Sequence, residues 1–184
     1  MARYKVGLET RERILKATRA LLADVGVEGI TLKAITDLAG VRAGSFYNLF
    51  ETKEAAVLTV VREAIAAMDP GDEGNDTLED LVSAYVTFMT EQSSMAQVYL
   101  QIAVSATRNN APIRQRFANG HRYRIERFTT ALLRDRPEIG VPEATIRIEA
   151  LIAALNGFGI ARHIDPSFDL NGHASRMLEL TRTQ

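Results

Sequence analysis

The sequence predicts an all-α protein of about nine helices, and three observations carry that reading. Apolar residues recur at helical spacing from end to end, and no segment alternates apolar and polar residues as a half-buried strand would. The helical stretches are separated by short clusters of Gly, Pro, Asn and Asp. Near the amino terminus, two short helical patterns flank a single glycine, Gly40, in TLKAITDLAGVRAGSFYNLF.

Each element follows from local chemistry. Thr10 is a plausible N-cap for a first helix, with Ile14, Ala17, Leu21 and Val25 on one face and Gly26 as its stop. Thr31 is placed to cap the second, in which Leu32, Ile35 and Ala39 form one stripe. Gly40 then supplies the left-handed backbone that ends a helix sharply. A third helix is expected from about Arg42 to Phe50, with Val41, Phe46, Leu49 and Phe50 facing inward. Its outward positions, Arg42, Ala43, Gly44, Ser45, Tyr47 and Asn48, are small, polar or hydroxyl-bearing, which suits a probe of the DNA major groove. A helical hairpin that merely packs in a bundle also uses Gly at its bend, so this spacing alone leaves both readings open.

Thr52 opens a fourth helix with Val57, Val61 and Ile65 in phase, running to about Met68. Asp69–Asp76 is dense in breakers and acids and reads as a linker. Beyond it, Thr77 starts a helix bearing Leu78, Leu81, Tyr85, Phe88 and Met89. Met95–Thr107 forms another, with Val98, Tyr99, Ile102 and Ala106. Pro112 suits the first turn of a long helix reaching about Arg134, with Ile113, Phe117, Phe128 and Leu132 in phase. After Pro137, Gly140 and Pro142, helices span about Glu143–His163 and Leu170–Thr181.

The motif AGVRAGSFYNLFETKEA resembles the signature of the TetR/AcrR family of bacterial transcriptional repressors. The likeness is tight over roughly the first 65 residues and rests on length and helical character beyond them. Thr36 stands where the family usually has alanine, and Arg42 where a serine is common. The resemblance implies a three-helix helix-turn-helix domain over residues 1–52, a connecting helix and linker over 53–75, and a ligand-binding and dimerising bundle over 76–184. It implies contacts to double-stranded DNA from Thr31, Arg42, Ala43, Gly44, Ser45, Tyr47, Asn48 and Lys53. By reach, Arg42 suits guanine, Asn48 adenine or a phosphate, and Tyr47 and Lys53 phosphates. Arg3 and Lys5 are candidates for a basic arm, or for a disordered start.

In the bundle, an unknown small-molecule effector is expected among Tyr85, Phe88, Met89, Met95, Tyr99, Phe117, His121, Arg124, Phe128 and Asn156, although aromatic faces of this kind ordinarily form core. His121 and Arg124 are the pointed members, being polar on an otherwise apolar face, and a ligand carboxylate or a side chain such as Glu91 or Gln92 would each satisfy them. A homodimer interface is expected at Ala150, Ala154, Gly157, Phe158, Ala161 and Met177, where small residues allow close helix approach.

Composition narrows the alternatives. The 184 residues contain 46% hydrophobic and 24% charged residues, ordinary for a globular protein. The formal charge of −1 divides into +2 over Met1–Met68 (ten basic, eight acidic) and −3 over Asp69–Gln184 (twelve basic, fifteen acidic). Zero cysteines exclude disulfides and thiolate metal sites and fit a cytoplasmic protein. Neither a membrane span nor a secretory leader is expected, nor a cofactor, metal site or catalytic residue, since no nucleophile elbow, phosphate loop or H-E-x-x-H pair is present. A ligand-independent DNA binder, an activator, and a helical carrier or enzyme remain as alternatives.

Overall fold

The computed structural model describes the backbone of residues 2–68, 75–105 and 111–183, and the side chains of these except 2–4, 104 and 105. Among the described residues the chain forms nine α-helices and no strand: α1 Ala2–Gly29, α2 Leu32–Ala39, α3 Ala43–Tyr47, α4 Lys53–Ala66, α5 Leu78–Glu91, α6 Ser93–Ser105, α7 Ala111–Asp135, α8 Val141–Ile164 and α9 Leu170–Thr183. A single 3₁₀ turn, Pro137–Ile139, precedes α8. Most of the linker expected at Asp69–Asp76, the expected helical residues Ala106 and Thr107, and the side chain of Arg3 lie outside the described residues.

Two compact units result. The first comprises residues 1–66 and 94–117. Its core collects Ile14, Leu15 and Leu22 of α1, Ile35 of α2, Phe46 of α3, Val57, Val60 and Val61 of α4, and Val98 and Ile102 of α6, each at most 2% exposed. Hydrophobic burial stabilises this unit by about 25 cal/mol per Å² of apolar surface removed from water. Gly26 lies inside α1 at φ 68°, ψ −176°, a conformation open essentially to glycine, so the helix breaks there as its sequence suggests. A Cβ at Gly26 would also stand 2.9 Å from the Gln101 amide nitrogen. The start of α1 differs from expectation. Helix already exists at Ala2, and the Thr10 hydroxyl donates back to the Val6 carbonyl (2.8 Å) instead of capping a new N-terminus. Lys5 accordingly sits, exposed, on that helix.

The second unit comprises residues 67–93 and 118–184. Thr77 and Asp80 form a reciprocal capping box at the start of α5. Tyr85, Phe88 and Met89 of α5, Phe128 and Leu132 of α7, Ile148, Leu151 and Leu155 of α8, and Leu170, Ala174 and Leu178 of α9 are buried. Its far end is tied by charge. Arg127 of α7 donates Nε–H to Asp76 (3.0 Å), and Arg182 of α9 pairs with Glu79 and with Asp135 (2.9 Å).

By length and composition α8 is apolar enough to cross a bilayer, which the sequence reading did not anticipate. Its apolar residues nevertheless fall on two opposite sides with different environments. One side is buried within the second unit, while Arg147 on the flank pairs with Glu143 at 2.8 Å.

A helix-turn-helix surface and its relatives

The turn between α2 and α3 is built by capping. The Thr31 hydroxyl oxygen accepts from the Ala34 N–H (3.1 Å) and fixes the start of α2. Its own O–H proton is not consumed by that bond, so the cap can still donate to an acceptor outside. At the other end Gly40 adopts φ 62°, ψ 40°. The Gly40 N–H donates to the Asp37 carbonyl (3.2 Å) and the Val41 N–H to the Thr36 carbonyl (3.0 Å), the paired bonds of a Schellman motif. Thr36, the departure from the family pattern, is accommodated because its buried hydroxyl donates to the Leu32 and Lys33 carbonyls, each at 3.0 Å.

The helix α3 is shorter than the sequence suggested, five residues, with a further turn closed by Leu49 N–H and Phe50 N–H donating to the Phe46 carbonyl (2.9 Å each). No side chain caps it, since Arg42 stands at the N-cap. Phe46 is fully buried and Phe50 nearly so, their ring centroids 5.6 Å apart. On the opposite side Arg42, Ala43, Gly44, Tyr47 and Asn48 are exposed and Ser45 is half-buried. Tyr47, 56% exposed, stands edge-on against Phe46 at 5.8 Å, which holds its ring while its hydroxyl projects outward. The result is a slender probe of small side chains with a phenol on its flank.

Lys53 occupies a different place from a freely extended ammonium. Its Nζ donates to the Ile30 carbonyl (3.0 Å) and lies 3.5 Å from Glu54, so it clamps the start of α4 to the link before α2. Thr52 caps α4 by accepting from the Ala55 N–H (3.1 Å). Two arginines of α1 that the sequence did not single out also reach this region. The Arg11 guanidinium lies 5.6 Å over the Phe50 ring, and Arg13 Nη1 stands 4.0 Å from where a Cβ on Gly40 would be. Neither contact has a local signature, because the residues joined are far apart in the chain, Arg11 from Phe50 and Arg13 from Gly40.

Residues 14–59, which span the last turns of α1 through the first half of α4, match the sequence profile described as "Bacterial regulatory proteins, tetR family". The chain is thus similar to TetR-family regulators. The regulator UidR of Escherichia coli strain K12 is 25% identical over 135 residues, 71% of this chain and 68% of that protein. The transcriptional repressor KstR2 of Mycolicibacterium smegmatis is 36% identical over 53 residues, 29% of this chain and 26% of its own length. Among solved structures, Salmonella enterica GusR superposes with a TM-score of 0.72 at 20% identity, over 94% of this chain and 93% of that one. TylP of Streptomyces fradiae gives 0.69 at 19% identity, over 96% and 86%. The chain is a DNA-binding transcriptional regulator with the all-α fold of these structures.

The effector candidates divide between the units of this regulator. Met95, Tyr99 and Phe117 belong to the first, where the Tyr99 and Phe117 rings meet at a tilt, centroids 5.4 Å apart, and Met95 and Phe117 flank the core. Tyr85, Phe88, Met89, His121, Arg124, Phe128 and Asn156 belong to the second. There Tyr85 O–H donates to the Leu155 carbonyl (2.8 Å), and His121 is exposed overall, its pKa lowered by partial desolvation of the ring and by the Arg124 charge, against the opposing Glu149 carboxylate. Of the dimer candidates, Ala150 and Gly157 are exposed, while Ala154, Phe158, Ala161 and Met177 are half-buried on the flanks of α8 and α9. Phe158 packs against Phe168 (6.1 Å) and His173 (5.6 Å) of its own chain. The most exposed apolar line on α8 is rotated slightly from the expected one. It comprises Ile146, Ala150, Ala153, Gly157, Ile160 and Ile164, all solvent-facing.

Proposed function

We propose that this regulator is a homodimeric repressor of palindromic operators that a small molecule releases. The observation carrying the reading is the two-sided α3. Phe46 anchors it fully from behind, while Ala43, Gly44, Tyr47 and Asn48 face solvent with no bulk to hold the helix off base edges. Arg42 and Asn48 are assigned to base edges, and Tyr47 O–H and the Thr31 cap to phosphates. Lys53, bound to the Ile30 carbonyl, sets the position of α4 and adds positive charge near the backbone.

Dimerisation is assigned to the outer side of α8. At about 100° per residue, its six exposed apolar residues lie within roughly 80° of arc, opposite the buried side. Their alternating spacings of four and three are those of a helix-packing seam. Ile146 is 62% exposed and Ile164 77%, a cost in water that a second copy of the chain removes. The apolar length of α8 has the same explanation, with no bilayer required.

A two-fold dimer presents two α3 helices to half-sites about one helical turn apart, roughly 34–36 Å, or a multiple of it. An effector shifts this arrangement only by binding the DNA-incompetent form more tightly, and a coupling of about 1–3 kcal/mol lowers operator affinity measurably. Sequencing DNA fragments selected by the purified protein tests the reading. One palindromic consensus is expected; enrichment of an asymmetric site, or of none, refutes it. Operator binding that no candidate metabolite alters in a mobility-shift assay instead favours the ligand-independent binder.

A further inference from the structure

Arginines are distributed very differently over the two compact units. In the second, several are matched by a carboxylate: Arg127 pairs with Asp76, Arg136 with Glu138, Arg147 with Glu143 and Arg176 with Glu179. The sequence of α6 and the start of α7 is built otherwise. Residues 92–125 contain five arginines and no aspartate or glutamate. Of that stretch, residues 94–117 belong to the first unit, which carries the helix-turn-helix.

This partition redraws the charge of the molecule. Cut at Met68, the chain divides into +2 and −3. Cut along the compact units, the first holds thirteen basic and eight acidic residues, a net of +5. The second holds nine and fifteen, a net of −6. The whole difference is Arg108, Arg114 and Arg116, of which Arg108 lies outside the described residues.

Arg114 and Arg116 are held firmly by their neighbours in α7. Ile113 is fully buried in the core of the first unit, and Phe117 packs against that core with its ring 5.4 Å from that of Tyr99. The helical turn between these two anchors leaves both arginines exposed. Neither guanidinium has a hydrogen-bond or ion-pair partner among the described residues. Protein surfaces ordinarily intersperse both signs of charge, whereas a run of one sign draws in ions of the other.

We propose that Arg114 and Arg116 bind phosphates of the same duplex that α3 reads, a sequence-independent contact made from a segment far along the chain. DNA is the occupant because the two arginines share a compact unit with α3, and a duplex is the polyanion that unit already engages. A guanidinium suits a phosphate through two parallel N–H bonds. The contact adds to DNA binding itself and does not rest on release by a small molecule.

Fluorescence anisotropy on the full-length protein tests this, with salt varied from about 50 to 300 mM. Two probes are used: the duplex most enriched in the fragment selection above, and a random-sequence duplex of the same length. The random duplex reads the arginines even where the selection yields no palindrome. Each phosphate contact steepens the fall of log affinity with log salt by about 0.9. Taking 1 M salt as the point where the electrostatic part vanishes, it contributes about fivefold at 0.15 M. Arg114→Gln/Arg116→Gln is therefore expected to flatten the slope by nearly 2 and to weaken both duplexes about 30-fold, with their affinity ratio unchanged. Fields decay over about 8–10 Å at physiological salt, so a flattened slope reports contact and not distant attraction. Arg122→Gln/Arg176→Gln removes the same charge from exposed positions of the second unit and is expected to keep the wild-type slope. Arg114→Lys/Arg116→Lys is expected to keep most of it, since the charge stays. The proposal is overturned by an unchanged slope in the glutamine variant or by equal flattening in the second-unit control. A loss confined to the selected duplex, or a lysine variant as weak as the glutamine one, overturns it equally. Should the double variant melt early by circular dichroism, the single substitutions replace it, each expected to show half the change in slope.

Discussion

Replacing Gly157 with leucine separates the fold of one protomer from its association with another. A Cβ at Gly157 meets no atom within 4 Å, so the protomer has room for the larger side chain. Leucine is also the better helix former by roughly 0.8 kcal/mol, so the isolated protomer should melt at the same temperature or slightly higher. In the proposed dimer, Gly157 lies near the middle of the exposed line from Ile146 to Ile164, and a two-fold axis there would bring in two added isobutyl groups. Overpacking costs about 1–3 kcal/mol per site, hence roughly 2–6 kcal/mol per dimer, a weakening of about 30-fold to 20,000-fold in Kd. Sedimentation velocity over a concentration series reads the association, and circular-dichroism melting reads the fold. An unchanged dimer constant removes α8 from the interface. A collapsed melting temperature in dilute protein shows instead that Gly157 serves packing within the chain.

Three further outcomes are open to direct measurement. Tyr47→Phe should lower affinity by about 1 kcal/mol, roughly fivefold, and equally across operator variants in fluorescence anisotropy; loss confined to one base substitution contradicts the phosphate role. Gly40→Ala should destabilise the first unit by about 1 kcal/mol in urea denaturation, since a left-handed backbone costs a Cβ-bearing residue about 1–2 kcal/mol, partly offset by the stiffer unfolded chain. With the nearest atom 4.0 Å away, a steric clash adds nothing, so Gly40→Asn should cost less. The Glu79 carboxyl is held below its ordinary pKa chiefly by Arg182, so the pair contributes stability above the unfolded value of 4.5 and loses it as pH falls through the lowered folded value. Half-exposed, it should be worth under about 1 kcal/mol; Glu79→Gln should melt below wild type at pH 7 and converge with it in strong acid.

The positions where expectation and structure part are those governed by distant residues. Thr10 looks like a cap, yet α1 runs through it from Ala2, because the hydroxyl finds the Val6 carbonyl four residues back. The bond from the Lys53 ammonium to the Ile30 carbonyl, twenty-three residues earlier, has no local signal either, and it leaves the expected phosphate contact untouched. On α8 helical phase identifies apolar residues but not which of its two apolar sides faces inward. The buried side is selected by Tyr85, Met89 and α9, so the exposed line falls at Ile146, Ala153, Ile160 and Ile164, beside the small-residue stripe the sequence suggested.

By itself the sequence determined what is local: the helical period, the Thr31, Thr52 and Thr77 caps, the left-handed stop at Gly40, and the inward Phe46 opposite an outward Tyr47. These follow from backbone preference and spacing within one or two turns, which a chain carries before it folds. Only the tertiary structure decided that Arg11 and Arg13 stand beside the helix-turn-helix, that Arg124 lies on Tyr85 and Phe128, and which side of α8 remains uncovered. Such contacts join residues far apart in sequence, and packing, not local propensity, selects them.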